Sequence, residues 1–478
     1  MKITLLSPCL STTERYGKAL GKVGPTTEPL GLAYLAASIQ QETNHDVEII
    51  DAAVMNYTPE QLKNRLILSK PNVVGVMMLT PMYFRAQEVV RLTRQVLPDS
   101  TIIVGGPHVT IFPSETMKEN PEIDYAVVGE GEITIVELLS AIDRNKNVKD
   151  VKGIVYRLNR KVEMTSMRPF IQNIDEIPLP ARELLPMEKY KPAPTYYREL
   201  PSHIILTSRG CPFHCTYCSK IFGKTYRFHS IKRIMEEVNL LISKYKAKEI
   251  IFRDDTFTIN PNHVKELCNE MINAGLNKKI RWTCMTRVNL VTPEMLKLMK
   301  RAGCWSIHYG VESGSQRLLD LIEKGITLEQ VKTAVKWTKE AGIEVKAFFM
   351  LGLPSETYEE SLKTIEFTKF LDPDWIQVTL TTPYPGTKLF DIAKAEGTIK
   401  SLKWEDYQTW AGWSDKDLVY TTKGREPEEL KALQKRAMRE FYMRPKFILR
   451  QINELRYHGR LKTYVLGAYA LVRSKILK

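Results

Sequence analysis

Three cysteines crowd into the run Arg209-Gly-Cys-Pro-Phe-His-Cys-Thr-Tyr-Cys-Ser219, which sets the thiols of Cys211, Cys215 and Cys218 at positions i, i+4 and i+7. Thiolates are the usual protein ligands of iron–sulfur clusters, and a purely structural cluster takes four of them. Three leave one iron open to a further ligand, so catalytic chemistry is expected at this loop. A structural zinc site wants a fourth Cys or His at a familiar spacing. His214 lies inside the loop, but no second Cys-x-x-Cys or His pair follows it. Zinc is the weaker reading. Three inert buried thiols are a poor account too, because the loop is polar and carries Gly210 and Pro212. Cys9, Cys268, Cys284 and Cys304 are scattered, which suits a reducing compartment with one metal site and no disulfide framework.

The loop follows an apolar strand pattern, His203–Ser208, the first of six. The others are Glu249–Arg253, Ile280–Met285, Trp305–Glu312, Glu344–Leu351 and Trp375–Leu380, with helix-length segments between them. Six βα units in a row predict an α/β fold with a partial (βα)6 barrel over residues 201–400, whose active site gathers at the carboxyl ends of the strands. Polar residues and glycines stand at those ends. Asp254 and Asp255 follow the second strand, Arg287 the third, Glu312 and Ser313 close the fourth, and Gly352 closes the fifth. Taken singly, each has an ordinary capping or turn role.

Taken with the cysteines, the arrangement resembles the radical S-adenosylmethionine (SAM) superfamily over about residues 200–390. The resemblance implies a [4Fe–4S] cluster on Cys211, Cys215 and Cys218, with SAM chelating the open iron and cleaved reductively to a 5′-deoxyadenosyl radical. It implies that Tyr217 lies against the adenine and that Asp254-Asp255 stands where the family binds the SAM amino group, in place of the usual Gly-Gly-Glu. Glu312 and Ser313 are the implied partners of the ribose or amino acid moiety, and Gly352 lets a strand end approach the adenine closely. Arg287 has two readings, a contact with the SAM carboxylate or a surface salt bridge.

Residues 1–150 alternate strand patterns (Lys2–Ser7, Asp46–Ile50, Val73–Leu79, Thr101–Gly105, Asp124–Val128) with helix patterns (Pro29–Glu42, Pro59–Ser69, Arg85–Leu97, Glu132–Asp143). That alternation predicts a five-stranded, doubly wound parallel sheet. Ligands of such sheets sit beyond the carboxyl ends of the strands, here the loops Pro8–Leu10, Thr80–Met82, Gly105–His108 and Gly129–Gly131. A doubly wound domain ahead of this barrel resembles the cobalamin-binding branch of radical SAM enzymes, near the anaerobic magnesium-protoporphyrin monomethyl ester cyclase group. The residues that carry it are Glu28-Pro-Leu-Gly-Leu-Ala-Tyr-Leu35, Gly105-Gly-Pro-His-Val-Thr110 and Val128-Gly-Glu-Gly-Glu132. A corrin is thereby implied on Gly105, Gly106, Gly129 and Gly131, near His108. The chain departs from the branch where Asp51-Ala-Ala-Val-Met-Asn56 replaces the Asp-x-His-x-x-Gly motif that supplies an axial histidine. His108 is accordingly expected as a hydrogen-bonded loop residue and not a cobalt ligand. Cobalamin bound without a protein histidine is the leading reading; a vestigial domain that shapes a substrate pocket is the other.

Residues 151–200 read as a linker, with a short alternating pair (Gly153–Leu158, Lys161–Thr165) and five prolines from Pro178 to Pro194. Residues 401–478 read as a basic, mainly helical region: the aromatic stretch Lys403–Trp413 (Trp404, Tyr407, Trp410, Trp413), then Pro427–Lys478. The chain has 43% hydrophobic and 26% charged residues, which argues for soluble globular domains. No run approaches a membrane span and no signal-peptide layout opens the chain, so a cytoplasmic enzyme is expected. From Arg425 onward fourteen Lys/Arg face five Glu, which carries most of the net charge of +14. The basic helix Glu426–Arg456 and the apolar run Tyr464–Val472, flanked by Arg460, Lys462, Arg473 and Lys475, are read as a cap over the barrel, with peripheral membrane contact as the alternative. Nucleic acid fits less well. A tRNA methylthiotransferase wants cysteines for a second cluster, and only Cys9 precedes Cys211.

The expected activity is therefore SAM cleavage followed by methylation, cyclisation or oxidation of an unactivated carbon of a small-molecule or lipid-like substrate. An electron donor such as flavodoxin or ferredoxin is implied. The rivals are a radical SAM enzyme without corrin and a non-catalytic cobalamin or redox sensor, which would release no 5′-deoxyadenosine.

Overall fold

The structure, a computed structural model, describes residues 1–12, 14, 24–407 and 416–458. Two parallel sheets organise it. The first has seven strands in the order β2-β1-β3-β4-β5-β6-β7: β1 (Lys2–Ser7), β2 (Asp46–Asp51), β3 (Val73–Met77), β4 (Thr101–Gly105), β5 (Tyr125–Val127), β6 (Ile154–Leu158) and β7 (Lys161–Met164). β1 to β5 are parallel in the doubly wound order, so the chain reverses direction across the sheet between β1 and β3 and opens a crevice beyond the strand ends there. The sheet exceeds the expected five strands because the hairpin read as the start of a linker joins it antiparallel to β5. Asn159 and Arg160 supply its tight turn, both with left-handed φ (49° and 68°), the geometry that matches strand twist in a two-residue hairpin.

The second sheet runs β15-β14-β13-β12-β11-β8, all parallel: β8 (Ser202–Ile205), β11 (Glu249–Phe252), β12 (Arg281–Thr286), β13 (Cys304–Glu312), β14 (Glu344–Leu351) and β15 (Trp375–Leu380). This is the expected α/β partial barrel. Its helices start where the sequence places caps: Thr292 with Pro293, Thr327 and Thr357 each bond the amide three residues on. The expected first strand splits. Thr207 gives its N–H to Asp254 instead of to the ladder, and β9 (Ser208–Arg209) turns off to pair with β10 (Arg227–Phe228), bracketing the cysteine loop.

The rest of the expected linker, through residue 200, is packed and built from short 3-10 turns. Arg182 is fully buried, donates to Glu237 of a barrel helix at 2.6 Å and lies 3.2 Å from Glu28 ahead of the first-sheet helix Leu30–Glu42. Among the described residues the basic carboxyl-terminal region forms two helices, Pro427–Tyr442 and Pro445–His458, because a proline cannot continue the first. The former covers the edge strand β15: Gln434 donates to the Val378 carbonyl at 3.0 Å, and Tyr442 OH bonds both backbone groups of Ile376. The cap reading describes these helices; Arg460–Lys475 lies outside the described residues, as do Trp410 and Trp413. No described helix is long and apolar enough to cross a membrane.

Candidate active site

The cysteine loop is bent by its glycine. Gly210 has φ +87°, and a Cβ there would strike the Thr225 carbonyl, so the chain folds tightly over residues 222–225 before presenting the thiols. Cys215 is buried, Cys211 half-buried and Cys218 exposed, and none is in a disulfide. Cys211 Sγ lies 3.7 Å from Thr256 Oγ1, and Arg287 Nη1 points at Cys215 Sγ from 3.4 Å. The Cys218 thiol is pushed up to about 11, first by burial and then by the charges of Asp255, Cys215 and Cys211. Three free cysteine thiols on one loop are the donor chemistry that iron–sulfur clusters take.

Above the loop, Tyr217, Glu312 and Lys324 form a closed triangle. Tyr217 OH donates to Glu312 Oε1 at 2.8 Å, Lys324 Nζ donates to the same oxygen at 2.7 Å, and Lys324 Nζ lies 2.9 Å from Tyr217 OH. The backbone serves this triangle. Glu312 holds φ +71°, a strained value for a side-chain-bearing residue, at a register shift between β13 and β14. A Cβ on Gly310 would collide with both Glu312 Oε1 and Lys324 Nζ. Sequence reasoning missed Lys324, because a lysine in Leu-Ile-Glu-Lys-Gly looks like any solvated helix end; only the fold buries it.

Arg287 is buried, bonds the Lys324 carbonyl and stacks 3.8 Å from the Phe213 ring, which rejects the surface salt bridge. The acidic pair divides its labour. Asp254 Oδ1 accepts from Thr207 N (3.0 Å), Thr207 Oγ1 (2.8 Å) and Ser208 Oγ (2.5 Å), bracing the strand that leads to the cysteines, while burial pushes its carboxyl up to about 6. Asp255 is the exposed member facing the cavity described next. Two expected ligand residues are turned to other work. Ser313 Oγ lies 3.2 Å from Thr364 Oγ1 and accepts from Ser315 N at 3.1 Å. At Gly352 the missing Cβ admits Leu430 of the capping helix, 3.1 Å away, instead of an open space for adenine.

A cavity of about 360 Å³ lies between the carboxyl ends of the first sheet and the cysteine loop. Gly105, Gly106, Gly129 and Gly131 line one wall, and Ser219, Ile221, Phe222 and Asp255 line the other. At Gly31 and Gly129 a Cβ would meet nothing within 4 Å, so these glycines leave bare backbone toward the space. A flat, largely apolar macrocycle fits such walls. His108 is elsewhere: it is buried among Tyr83, Phe112 and Trp404, its Nδ1 lies 3.1 Å from Thr80 Oγ1, and burial lowers its pKa to about 4. The expectation of a cofactor contact there is corrected, and Thr80–Met82 and Trp404 go with it into this satellite core.

The two walls are riveted together. Glu130 accepts from Arg209 Nη1 at 2.9 Å and from Arg227 Nη1 at 2.8 Å, and Glu132 accepts from Arg209 Nη2 at 2.6 Å, all buried. The acidic residues of Val128-Gly-Glu-Gly-Glu132 thus reach across to the residue two places before Cys211.

The comparisons with known proteins agree with this geometry. A family model of the radical SAM superfamily matches residues 205–368, and one of the B12 binding domain matches residues 17–139. Over 461 residues, 96% of either chain, this protein is 39% identical to an uncharacterized methyltransferase of Pyrococcus horikoshii. It is 32% identical to the anaerobic magnesium-protoporphyrin IX monomethyl ester cyclase of Rubrivivax gelatinosus, over 76% of this chain and 65% of that enzyme. Two solved structures share the fold. The cobalamin-dependent SAM radical enzyme OxsB, with aqua-cobalamin and SAM bound, superposes with TM-score 0.73 at 17% identity, over 100% of this chain and 79% of that one. The radical SAM methyltransferase TsrM of Kitasatospora setae, with cobalamin and a [4Fe–4S] cluster, gives 0.71 at 19% identity over 90% of each. The thiol loop, the glycine-walled cavity beside it and these likenesses place the chain in the radical SAM superfamily, in the branch that carries an amino-terminal B12 binding domain.

Proposed function

We propose that this protein methylates an unactivated carbon of a small molecule, with a [4Fe–4S] cluster on Cys211, Cys215 and Cys218, SAM and cobalamin as cofactors. One observation carries it: the cysteine loop itself walls the glycine-lined cavity through Ser219, Ile221 and Phe222, with Asp255 beside them. Bound together, SAM on the cluster supplies a hydrogen-abstracting radical and the corrin a transferable methyl group.

The chain's own residues position these groups. Tyr217, held by Glu312 and Lys324, sets a fixed aromatic wall beside the loop. Arg287 offers a guanidinium beside Cys215, suited to a carboxylate brought to the open iron, and Asp255 offers a carboxylate suited to an ammonium. Gly31, Gly105, Gly106, Gly129 and Gly131 give the corrin its wall without a protein histidine, as His108 is sealed away. A carrier such as flavodoxin or ferredoxin supplies the electron. The full-length likeness to a methyltransferase supports methyl transfer over cyclisation, since the chain spans under two thirds of the cyclase.

The test is anaerobic reconstitution with iron, sulfide and hydroxocobalamin, then desalting and incubation with SAM and dithionite. Retained corrin absorbance and released 5′-deoxyadenosine are expected. Loss of all corrin on desalting sinks the cobalamin assignment, and absence of 5′-deoxyadenosine leaves a sensor. Comparing the anaerobic metabolites of a deletion strain with its parent identifies the substrate.

A further inference from the structure

The inward faces of the barrel strands do not close on one another. Outward residues such as Cys284, Ala347, Phe349 and Val378 are fully buried beneath the helices, yet the alternating inward residues Met285, Phe348, Met350, Gln377 and Thr379 all keep part of their surface. Alternate residues of a strand point to opposite faces, so these part-exposed side chains stand together on the inner side of the sheet, facing the bore.

The floor of that bore carries basic side chains with no acid paired to them among the described residues. His308 and Lys346 are register partners on β13 and β14 and are only 1% and 3% exposed. Arg253, the residue after Phe252, falls level with Met285, the register partner of His308 on β12. The three surround one ring: Lys346 Nζ lies 3.6 Å, the His308 ring 4.9 Å and Arg253 Cζ 5.3 Å from the centre of Tyr196. Lys346 bonds Thr195 Oγ1 at 2.9 Å, and Arg253 Nη1 reaches Met285 Sδ at 3.9 Å. Both ring nitrogens of His308 and Gln377 Oε1 lack a partner. Among the described residues no carboxylate pairs with Lys346 or Arg253, and burial together with the Arg253 charge holds Lys346 well below its ordinary range. Lys346 is buried and Arg253 half-buried, and two basic groups set side by side away from bulk water are costly to charge together unless a counter-charge arrives.

We propose that this bore is the substrate pocket and that Lys346 and Arg253, with His308 as a further donor, hold an anionic group of the substrate, a carboxylate or a phosphate. The inference rests on the methyltransferase reading and names its substrate class: a small acid or phosphate ester with an apolar body, not a neutral lipid. The walls above the floor, Phe348 and Met350, suit that body. Arg287, whose guanidinium touches Cys215, comes two residues after Met285, just past the end of β12, so the floor lies about 7 Å along the strand direction from the Arg287 backbone. An anion seated there presents carbons a few bonds away to the chamber.

The experiment is isothermal titration of the reconstituted full-length protein with phenyl phosphate, benzoate and neutral benzyl alcohol. At least one anion binds and benzyl alcohol does not; the tighter anion tells phosphate ester from carboxylic acid. Lys346→Met and Arg253→Gln each weaken that anion by about 30-fold or more. Lys346→Met melts no lower than the wild type, because it removes a buried amine that has no carboxylate partner and keeps an apolar stem against Tyr196, so lost affinity is not lost folding. Anions binding no better than benzyl alcohol, or binding unchanged in both variants, overturns the proposal. A lower melting temperature for Lys346→Met with anion binding intact also overturns it, assigning Lys346 to packing on Tyr196. Release of 5′-deoxyadenosine from the same wild-type preparation reports on the radical SAM reading independently. Anion binding without that release refutes the parent reading alone, and release without anion binding refutes the floor alone.

Discussion

Arg209 Nη2 donates to Glu132 Oε1 at 2.6 Å, which ties the start of the cysteine loop to the last glycine-rich strand end of the other sheet. Glu130 doubles the tie by accepting from both Arg209 and Arg227. Removing one partner of such a buried set leaves an uncompensated charge. Glu130→Ala is expected to cost about 3 kcal/mol of stability. Urea denaturation followed by far-UV dichroism and by cluster absorbance checks it, with the cluster signal lost first; a cost below 1 kcal/mol would show the rivet to be dispensable.

Cys211, Cys215 and Cys218 are not interchangeable with the other cysteines. Alanine at any one of the three should abolish iron–sulfur absorbance and 5′-deoxyadenosine formation. Cys284 and Cys304 sit on barrel strands and Cys268 on the helix Pro261–Asn273, all three buried. Alanine there should leave iron and sulfide content unchanged while lowering stability modestly, by about 1–2 kcal/mol each.

Lys324→Met leaves the strained, buried Glu312 without its ammonium partner. Equilibrium dialysis should find SAM binding weakened about 10- to 100-fold, the range for a lost hydrogen bond to a charged group. Tyr217→Phe removes a neutral donor from the same oxygen and should weaken it only about fivefold. Equal effects would mean that Glu312 is not the shared anchor.

Gly31 stands in the first turn of helix Leu30–Glu42 with open space where a Cβ would go. Leucine there fills part of the cavity at no conformational cost, so stability should hold or rise by up to about 0.5 kcal/mol. Retained corrin after desalting should fall sharply. A variant that melts normally and keeps its corrin would place cobalamin elsewhere.

Glu356 is buried and its carboxyl is pushed up to about 7, by desolvation, despite bonds from Ser361 Oγ and Leu353 N. The native state therefore holds a proton that the unfolded chain releases near 4.5. Stability should decline as pH rises from about 4.5 to about 7, by at most about 3 kcal/mol from this group, and level off above. Glu356→Gln should flatten that slope and be more stable than the wild type at pH 8, with the gap closing toward pH 5, read from urea midpoints at three pH values.

Much of the site was legible in the chain because ligand spacing and strand ends are local properties. The i, i+4, i+7 thiols need one loop, and Asp254, Asp255, Arg287 and Glu312 each follow a readable apolar run. What misled was residue type without surroundings. His108 sits in a glycine-rich strand-end loop like a ligand, yet Thr80, Tyr83 and Trp404 enclose it. Gly352 ends a strand like a cofactor contact, yet its bare face admits Leu430 from a helix 78 positions later. The proline-rich stretch after residue 150 has linker composition, yet Arg182 lies at the centre of a buried pairing with Glu28 and Glu237.

The sequence by itself determined the α/β alternation, the order of the two sheets and the spacing of the three thiols proposed to hold the cluster, since periodicity and covalent spacing are written residue by residue. Only the tertiary structure decided which charges meet. Lys324 joins Glu312, Arg287 joins Cys215, Glu130 and Glu132 join Arg209, and Lys346 joins His308 and Arg253. These pairings depend on strand order, register and the bulge at Glu312, and on burial that makes an unpaired charge costly. None of those quantities is a property of any one segment of the chain.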